Sequence, residues 1–441
     1  MKTRDHFAWS NWAGNHSCIA KKFFEPQSEE EVCEIVQLAR REGRRVRVAG
    51  AGHSFSPLVP GNDFLVSFEK FPKKISVDGM LVTCSAGIRL CELYSLLQEN
   101  NLSLPNYGVI NKQYLAGALA TGTHGSSKKH KSLSACIESI RLVLSNGEVK
   151  IIDRRSELWD ASSISLGMLG IVTEITLRCE PMYFLRSNES VVSPEDYLQN
   201  MDLLAGRFEY FKAWWFPHTG KVYLFEAERV GSEIYAQRST LEQYNAEQRR
   251  RDAGIDQETA PFFIKSLHEP TLIPGINQHA LDHYFTPRTR IGTSMSILVH
   301  DETVPMVVSE YALPLHYDAH KAALIEFIDR IEKNNFLHFP VDLRYTAAES
   351  SWLSPSYNRD SFYIGMCVRE YREKNIPGVM QVFCDIMRKH KARPNWGKIF
   401  DLEHDELLQL FPRMKDFAGV KNKLDPPNTF GNEHMDKWFG G

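Results

Sequence analysis

Apolar residues recur at helical spacing over SEEEVCEIVQLARREG, residues 28–43, where Val32, Ile35, Val36 and Ala39 share one face. Ser28 predicts the N-cap with Glu31 as its capping-box partner, and Gly43 predicts the stop. A strand-like run, RRVRVAG, follows at once. Short strand patterns return near 64–68 and 81–86, and Leu90, Leu93, Leu96 and Leu97 predict a helix over 89–100. Over 139–153, SIRLVLSNGEVKIID sets two β-branched runs on either side of Asn146-Gly147, the mark of a tight hairpin. SLGMLGIVTEITLR, 165–178, is punctuated by glycine and runs into an alternating strand. Beyond about residue 181 the pattern changes. The aromatic strand runs EYFKAWWF and KVYLFEAE give way to a polar segment, about 232–258, that reads as helix with little apolar periodicity. Strand and helix patterns then continue to Phe400, with no internal repeat. The layout predicts an α+β chain with one domain over 1–180, a second over 181–415 and a tail over 416–441.

Composition narrows the class without naming it. The 441 residues allow two sizeable cores, and 43% hydrophobic with 24% charged residues is ordinary for a globular protein. A net charge of -3 implies no general attraction to nucleic acid or anionic lipid, and Arg249-Arg250-Arg251 reads as a solvated helix face. No apolar run reaches the roughly 18 residues of a membrane span. The N-terminal MKTRDHFAWSNWAGN lacks the continuous apolar core of a secretory signal. Eight cysteines never form CxxC, which speaks against a zinc ribbon or a disulfide framework and predicts a metal-free, cytoplasmic protein.

The run Arg47–Pro57, RVAGAGHSFSP, opens like a dinucleotide-binding turn: a strand, then Gly50-Ala51-Gly52, with Glu69 about 20 residues on where a ribose-binding acid belongs. Phe55, however, stands where the third glycine is required. HSFSPLVPGND, with Pro57, Pro60 and Gly61, cannot continue as the phosphate-binding helix. Glycines also let backbone N–H groups converge on an anion. A second such stretch, GALATGTHGSS, spans 117–127. Each loop admits two readings, a tight turn or half of a cradle around one pyrophosphate. The pairing of glycine with histidine and small hydroxyls in both favours the cradle.

Nine stretches in one order carry a resemblance: SNWAGN, VAGAGHS, ATGTHGS, LGMLGIVTEITL, EYFKAWWFPHT, SEYALP, VDLRYTAAESSWLSPSYNRDS, RPNWGK and LDPPNTFGN. Together they resemble the aldonolactone oxidase group of the vanillyl-alcohol-oxidase flavoprotein superfamily, which holds L-gulonolactone and D-arabinonolactone oxidases and, more distantly, alditol oxidases. The resemblance implies an FAD-binding α+β domain over 1–180 and a cap domain over 181–415 with a large antiparallel sheet flanked by helices. The tail, 416–441, would return to the FAD domain. It implies FAD attached covalently through His53 to the methyl carbon on the flavin's benzene ring. Ala49, Gly50, Ala51, Gly52, Ser54 and Phe55 would form the pyrophosphate loop. Gly117, Ala118, Thr121, Gly122, Thr123, His124 and Gly125 would run along pyrophosphate and flavin, with Ser126 near the substrate. Gly170, Ile171 and Val172 would meet the adenine side through their backbone.

The implied reaction moves a hydride from a hydroxyl-bearing carbon to the flavin while the hydroxyl loses its proton; electrons then pass to oxygen, giving hydrogen peroxide. Such a site needs a cation near the flavin's pyrimidine edge and polar groups on the hydroxyl. Motif matches assign Arg344 to orient the reacting oxygen with its fixed fork of donors, and Lys398 to stabilise the reduced flavin and contact substrate. Spacing alone reads either as a salt-bridge partner. The chain departs from the group at three places. Asp342 replaces a glutamate two residues before the arginine, Asn395 replaces the histidine of PHW, and Gly365 stands where alditol oxidases place a histidine. Asp342 and Asn395 stay candidate site residues, for a bulkier or differently placed substrate group. Glu310-Tyr311 read as pocket or strand-packing residues, with packing favoured. The polar AQRSTLEQYNAEQRRRDAGIDQE, where animal gulonolactone oxidases are strongly apolar, speaks for a soluble enzyme. Oxidation of a sugar-derived lactone such as L-gulono-1,4-lactone leads. Oxidation of a free polyol, cyclitol or sugar unit, a dehydrogenase with another acceptor, and a binding protein without turnover stay open.

Overall fold

The computed structural model describes residues 2–235, 261–262, 264–266, 268–299, 306–334, 336–338, 340–368 and 376–440. The polar segment expected as helix over about 232–258, with its Arg249–Arg251 run, lies outside these residues apart from its first four, Ser232–Tyr235, which form a short α-helix.

Strands β1 (Lys2–Ser10), β2 (Ser17–Glu25), β3 (Val46–Ala49) and β4 (Phe64–Ser67) form a sheet in the order β1-β2-β4-β3, with β2 and β3 both parallel to β4. The helix α1 (Glu29–Glu42) lies between β2 and β3. It forms as its pattern predicts: Ser28 Oγ accepts from the Glu31 N–H at 3.3 Å, Val32, Ile35, Val36 and Ala39 are buried, and Gly43 ends it at φ 60°. The Glu31 carboxylate reaches past the cap and accepts from the Gln27 N–H at 2.7 Å, so the capping box does not close.

Next come β5 (Ile75–Asp78), β6 (Leu81–Ser85), β7 (Leu102–Ser103), β8 (Ile137–Val143), β9 (Val149–Asp153), β10 (Ile171–Arg178) and β11 (Glu180–Pro181). Five of them make an antiparallel sheet, β5-β6-β10-β8-β9, and β7 pairs with β11. The β8–β9 hairpin turns on Asn146-Gly147, with Gly147 at φ 84°. Two helices, α2 (Leu90–Glu99) and α3 (Leu115–Ala120), stand between β6 and β8.

The largest sheet holds β12 (Phe184–Val192), β13 (Tyr210–Phe216), β14 (Lys221–Val230), β15 (Arg288–Thr293), β16 (Val307–Pro314), β17 (Val341–Thr346), β18 (Ser361–Val368) and β19 (Arg393–Pro394). Its eight strands run in the order β15-β12-β14-β13-β17-β18-β16-β19, every pair antiparallel. Side chains alternate faces along a strand. One face packs under the helices Pro194–Arg207, Ala319–Asn334 and Ile376–Lys389, through Phe211, Ala213 and Trp215 of β13, Tyr311 and Leu313 of β16, and Leu343 and Tyr345 of β17. The other face looks toward the core of the two smaller sheets, where Tyr210, Phe225 and Leu185 join it. Burial on both faces explains why EYFKAWWF lacks clean alternation. It also makes any charged residue on the second face conspicuous.

The C-terminal residues cross back to β3. Val46 N–H donates to Thr429 O at 2.7 Å, and Asn432 Nδ2 donates to the carbonyls of Pro57, Leu58 and Pro60 at 3.0, 3.2 and 3.0 Å. No described helix is long and apolar enough to cross a membrane, and no described cluster of three His, Cys, Asp or Glu is placed to hold a metal.

Candidate active site

The chain leaving β3 at Ala49 enters bends rather than a helix. Glu69, the acid a nicotinamide dinucleotide would require, is bonded to Tyr114 Oη and to Arg89 Nη2, the latter at 3.1 Å. The dinucleotide alternative therefore has neither its helix nor its acid.

The loop instead faces a cleft of about 1180 Å3, open solvent at its mouth included, the size class of a large cofactor site. Ala49, Gly50, Ala51, Gly52, His53 and Ser54 form one wall. Gly117, Ala118 and Thr121 of α3 and its C-cap face them, beside Gln113 and Tyr114, which sequence reasoning missed. Gly170, Ile171 and Val172 close the end where β10 begins, and Phe430 of the tail joins the wall. Missing from this wall are Gly122, Gly125 and Ser126 among the expected cofactor residues, while Phe55, Thr123 and His124 line the adjoining cavity.

Three observations fit an FAD to this cleft. Gly52 sits at φ 74°, and a Cβ there would come 3.1 Å from the Trp12 nitrogen. A Cβ on Gly170 would meet Val143 O at 2.8 Å, so the chain passes as bare backbone at both ends of the cleft. Arg47, also in the wall, donates to the carbonyls of Leu58, Gly167, Phe430 and Leu166 at 2.9, 3.3, 2.5 and 2.9 Å and to no described carboxylate. Burial lowers its pKa to about 10 and leaves it charged at neutral pH. A buried cation without a counter-charge suits a pyrophosphate. We expect Gly170→Ala to cost roughly 1–3 kcal/mol and to lower the flavin content of the purified protein, because Val143 is backbone and cannot yield like a side chain. Denaturant unfolding and the flavin-to-protein absorbance ratio measure both.

His53 lines both this cleft and a second cavity. Its ring lies 4.9 Å from that of Trp12, and its buried Nδ1 has no partner. Burial first, then the charges of Lys398, Arg89 and Lys112, push its pKa down to about 4. The imidazole is therefore neutral above that pH, the form that acts as a nucleophile.

The second cavity opens on the charged face of the large sheet. Register aligns Trp214 with Asp342, Asp342 with Gly365, and Gly365 with Glu310 across β13, β17, β18 and β16, and all four line the cavity. Arg344, one step along β17, bonds Asp342 Oδ2 and also faces the cavity. Asp342 Oδ1 and Arg344 Nε are buried without partners. Burial opposes the Arg344 charge, but Asp342 and Glu310 outweigh it and raise its pKa. Lys398 brings its Nζ to 5.0 Å from the Phe55 ring centre, and its N–H bonds Asn395 O at 3.0 Å.

Glu310 corrects the packing expectation. Tyr311 is fully buried under the helices, whereas Glu310 points the other way. Its Oε2 accepts from Asn395 Nδ2 at 2.7 Å and lies 3.4 Å from His124 Nε2. Burial alone would raise its pKa; His124, Lys398 and Arg344 hold it well below the usual carboxylate range. A signal was present: an acid in the apolar strand VVSEYALP, buried along almost its whole length. Ser126 does not line this cavity; its Oγ donates to Phe211 O and accepts from the Tyr345 N–H at 3.1 Å.

A glycine-walled cleft opening onto a cavity with two cations and two carboxylates defines a cofactor-dependent enzyme site of the FAD-binding class. The sequence model of the FAD-binding domain accordingly matches residues 20–153. The model of the D-arabinono-1,4-lactone oxidase family matches residues 175–438, and the chain belongs to that family. It is 29% identical over 445 residues to an L-gulonolactone oxidase of Scyliorhinus torazame, covering 98% of both chains. It is 27% identical over 435 residues to an L-gulono-1,4-lactone dehydrogenase of Mycobacterium tuberculosis (H37Rv), covering 98% of this chain and 99% of the other. The crystal structure of cholesterol oxidase from B. sterolicum superposes with a TM-score of 0.79 at 17% identity over 99% of this chain and 97% of that one, which shows a shared fold.

Proposed function

We propose that the protein is an FAD-dependent oxidase of sugar-derived 1,4-lactones of the L-gulono-1,4-lactone kind. The observation that carries this reading is the junction at His53, where the cofactor-sized cleft meets the cavity of Arg344, Lys398, Asp342 and Glu310. Bound FAD supplies the two-electron acceptor for hydride from a hydroxyl-bearing carbon. Arg47 and the backbone around Gly50 and Gly52 hold its pyrophosphate, the backbone at Gly170–Val172 its adenine end, and His53 attaches it covalently. The planar Arg344 guanidinium, aimed by Asp342, donates to the oxygen of the reacting carbon. The Lys398 ammonium places positive charge where negative charge grows. Asp342 Oδ1, buried and unpartnered, accepts from a substrate hydroxyl. Trp214, Phe55 and Val308 form apolar wall and keep water from the reacting carbon. The domains are proposed as FAD-binding over 1–180 and cap over 181–415, with the tail, 416–441, clasping the cofactor loop through Phe430 and Asn432.

Purified protein is expected to release hydrogen peroxide with aldonolactones, with product identification fixing the carbon oxidised. Turnover of polyols alone overturns the lactone assignment. The dehydrogenase among the relatives motivates one further reading, transfer to an acceptor other than oxygen. Anaerobic reduction followed by an air pulse separates the two, since sluggish reoxidation excludes an oxidase.

A further inference from the structure

Glu310 and Asp342 flank a strand position that carries no side chain. Both pair in register with Gly365, one from each neighbouring strand. Glycine inside a strand weakens it and often marks the close approach of a ligand. Here the backbone does not require it: no positive φ is recorded at Gly365, and an added Cβ would sit at ordinary van der Waals distance from Asp342 Cβ and Glu310 Oε1, each at 3.5 Å, and from Asp342 O at 3.7 Å. The gap therefore leaves two carboxylates facing each other across bare backbone on the cavity floor.

Each of these carboxylates has one oxygen engaged and one unengaged. Asp342 Oδ2 bonds Arg344 and Oδ1 has no partner. Glu310 Oε2 takes Asn395 and His124, while Oε1 accepts no hydrogen bond from any described residue. Ionised carboxylates accept hydrogen bonds and donate none. Each free oxygen thus calls for a donor, and a polyhydroxylated substrate lying over Gly365 brings hydroxyls.

We propose that Glu310 is a specificity-determining residue: across the gap at Gly365, its Oε1 and Asp342 Oδ1 accept from two separate hydroxyls of one sugar lactone. Asn395 aims Glu310. The Asn395 Oδ1 is held by the Gly397 N–H at 3.0 Å, so its Nδ2 is the end that faces Glu310 Oε2. His124 on the loop after α3, its Nδ1 held 3.0 Å from Gly125 O, sets its Nε2 3.4 Å from the same Glu310 oxygen. Asn395 is thus a neutral clamp on Glu310.

This inference rests on the lactone reading. Its test is Glu310→Gln. The amide has the same shape, and Asn395 Nδ2 draws its oxygen into the Oε2 place, which turns an NH2 group toward the cavity where an acceptor stood. The holoenzyme forms of wild type and variant are assayed on the parent lactone and on analogues each lacking one non-reacting hydroxyl. Wild type should lose roughly 10- to 100-fold in kcat/KM on one analogue, the value of a hydrogen bond to a charged group. Glu310→Gln should lose a similar factor on the parent, mainly in KM, and little further on that same analogue. Equal losses on every substrate, or no loss at all, overturn the proposal and leave the lactone reading standing. Wild type that turns over no lactone overturns both. Gly365→Ala supplies a second measurement: full flavin content and undiminished thermal stability, with KM for the parent raised at least several-fold; an unchanged KM counts against the proposal.

Discussion

Acid precipitation of His53→Ala should release its flavin into the supernatant, while the wild-type pellet stays yellow. The variant should recover activity only with added FAD. The expectation follows from where His53 stands and what surrounds it. The ring sits where cleft and cavity join, with a buried Nδ1 that nothing in the described structure satisfies. An unsatisfied buried nitrogen is costly and calls for a partner. Burial, with Lys398, Arg89 and Lys112, pushes its pKa down to about 4, so the neutral ring persists across the physiological range. A nucleophile on the loop that also holds the cofactor gains its reactivity from proximity. Wild-type protein that gives up its colour to acid removes the covalent link and leaves FAD binding intact.

The second large effect is expected at Lys398. Lys398→Met should lower kcat by roughly 10^2- to 10^3-fold, the usual cost of removing one preorganised electrostatic contact. Its Nζ meets the Phe55 ring and joins no ion pair among the described residues, so the fold should barely notice the change. Stopped-flow reduction by substrate with a thermal melt in parallel checks both halves; an unchanged reduction rate removes Lys398 from the chemistry. Arg344 is a less clean probe. Deleting it strands the Asp342 carboxylate, and a buried charge left alone destabilises by about 3–5 kcal/mol. Arg344→Lys keeps the charge and removes the fork, so a loss there reports orientation.

Much of the fold could be read from local pattern because its causes are local. The cap at Ser28, the αL stop at Gly43 and the Asn146-Gly147 turn depend on residues within a few positions of one another. So does the failure of the first loop to become a helix, since its two prolines act on their own neighbours. The site divides differently. Glu310 and Tyr311 are adjacent in the same strand, and although the acid stands out in its apolar run, the run does not say which face either takes. One lies under the helices and the other in the cavity because of the register of β16 with β18 and β19, which sequence does not carry. Ser126 sits in a loop of small polar residues that reads as ligand-binding throughout. Its hydroxyl is taken by the backbone of β13 and β17, strands some 85 and 219 positions away.

The break after β3 and the family were legible in the chain alone, which also favoured a cradle at the two glycine loops. Each is a matter of backbone freedom or of ordered motifs along one chain. Strand pairing, by contrast, sets Trp214, Asp342, Gly365 and Glu310 in one row, and the packing around β3 leaves a buried arginine without a carboxylate beside the cleft. Tertiary packing alone brings the carbonyls of loop 57–60 to a residue near the other end of the chain. The reason is that a strand's facing is set by its partners, and a buried charge by what fails to approach it.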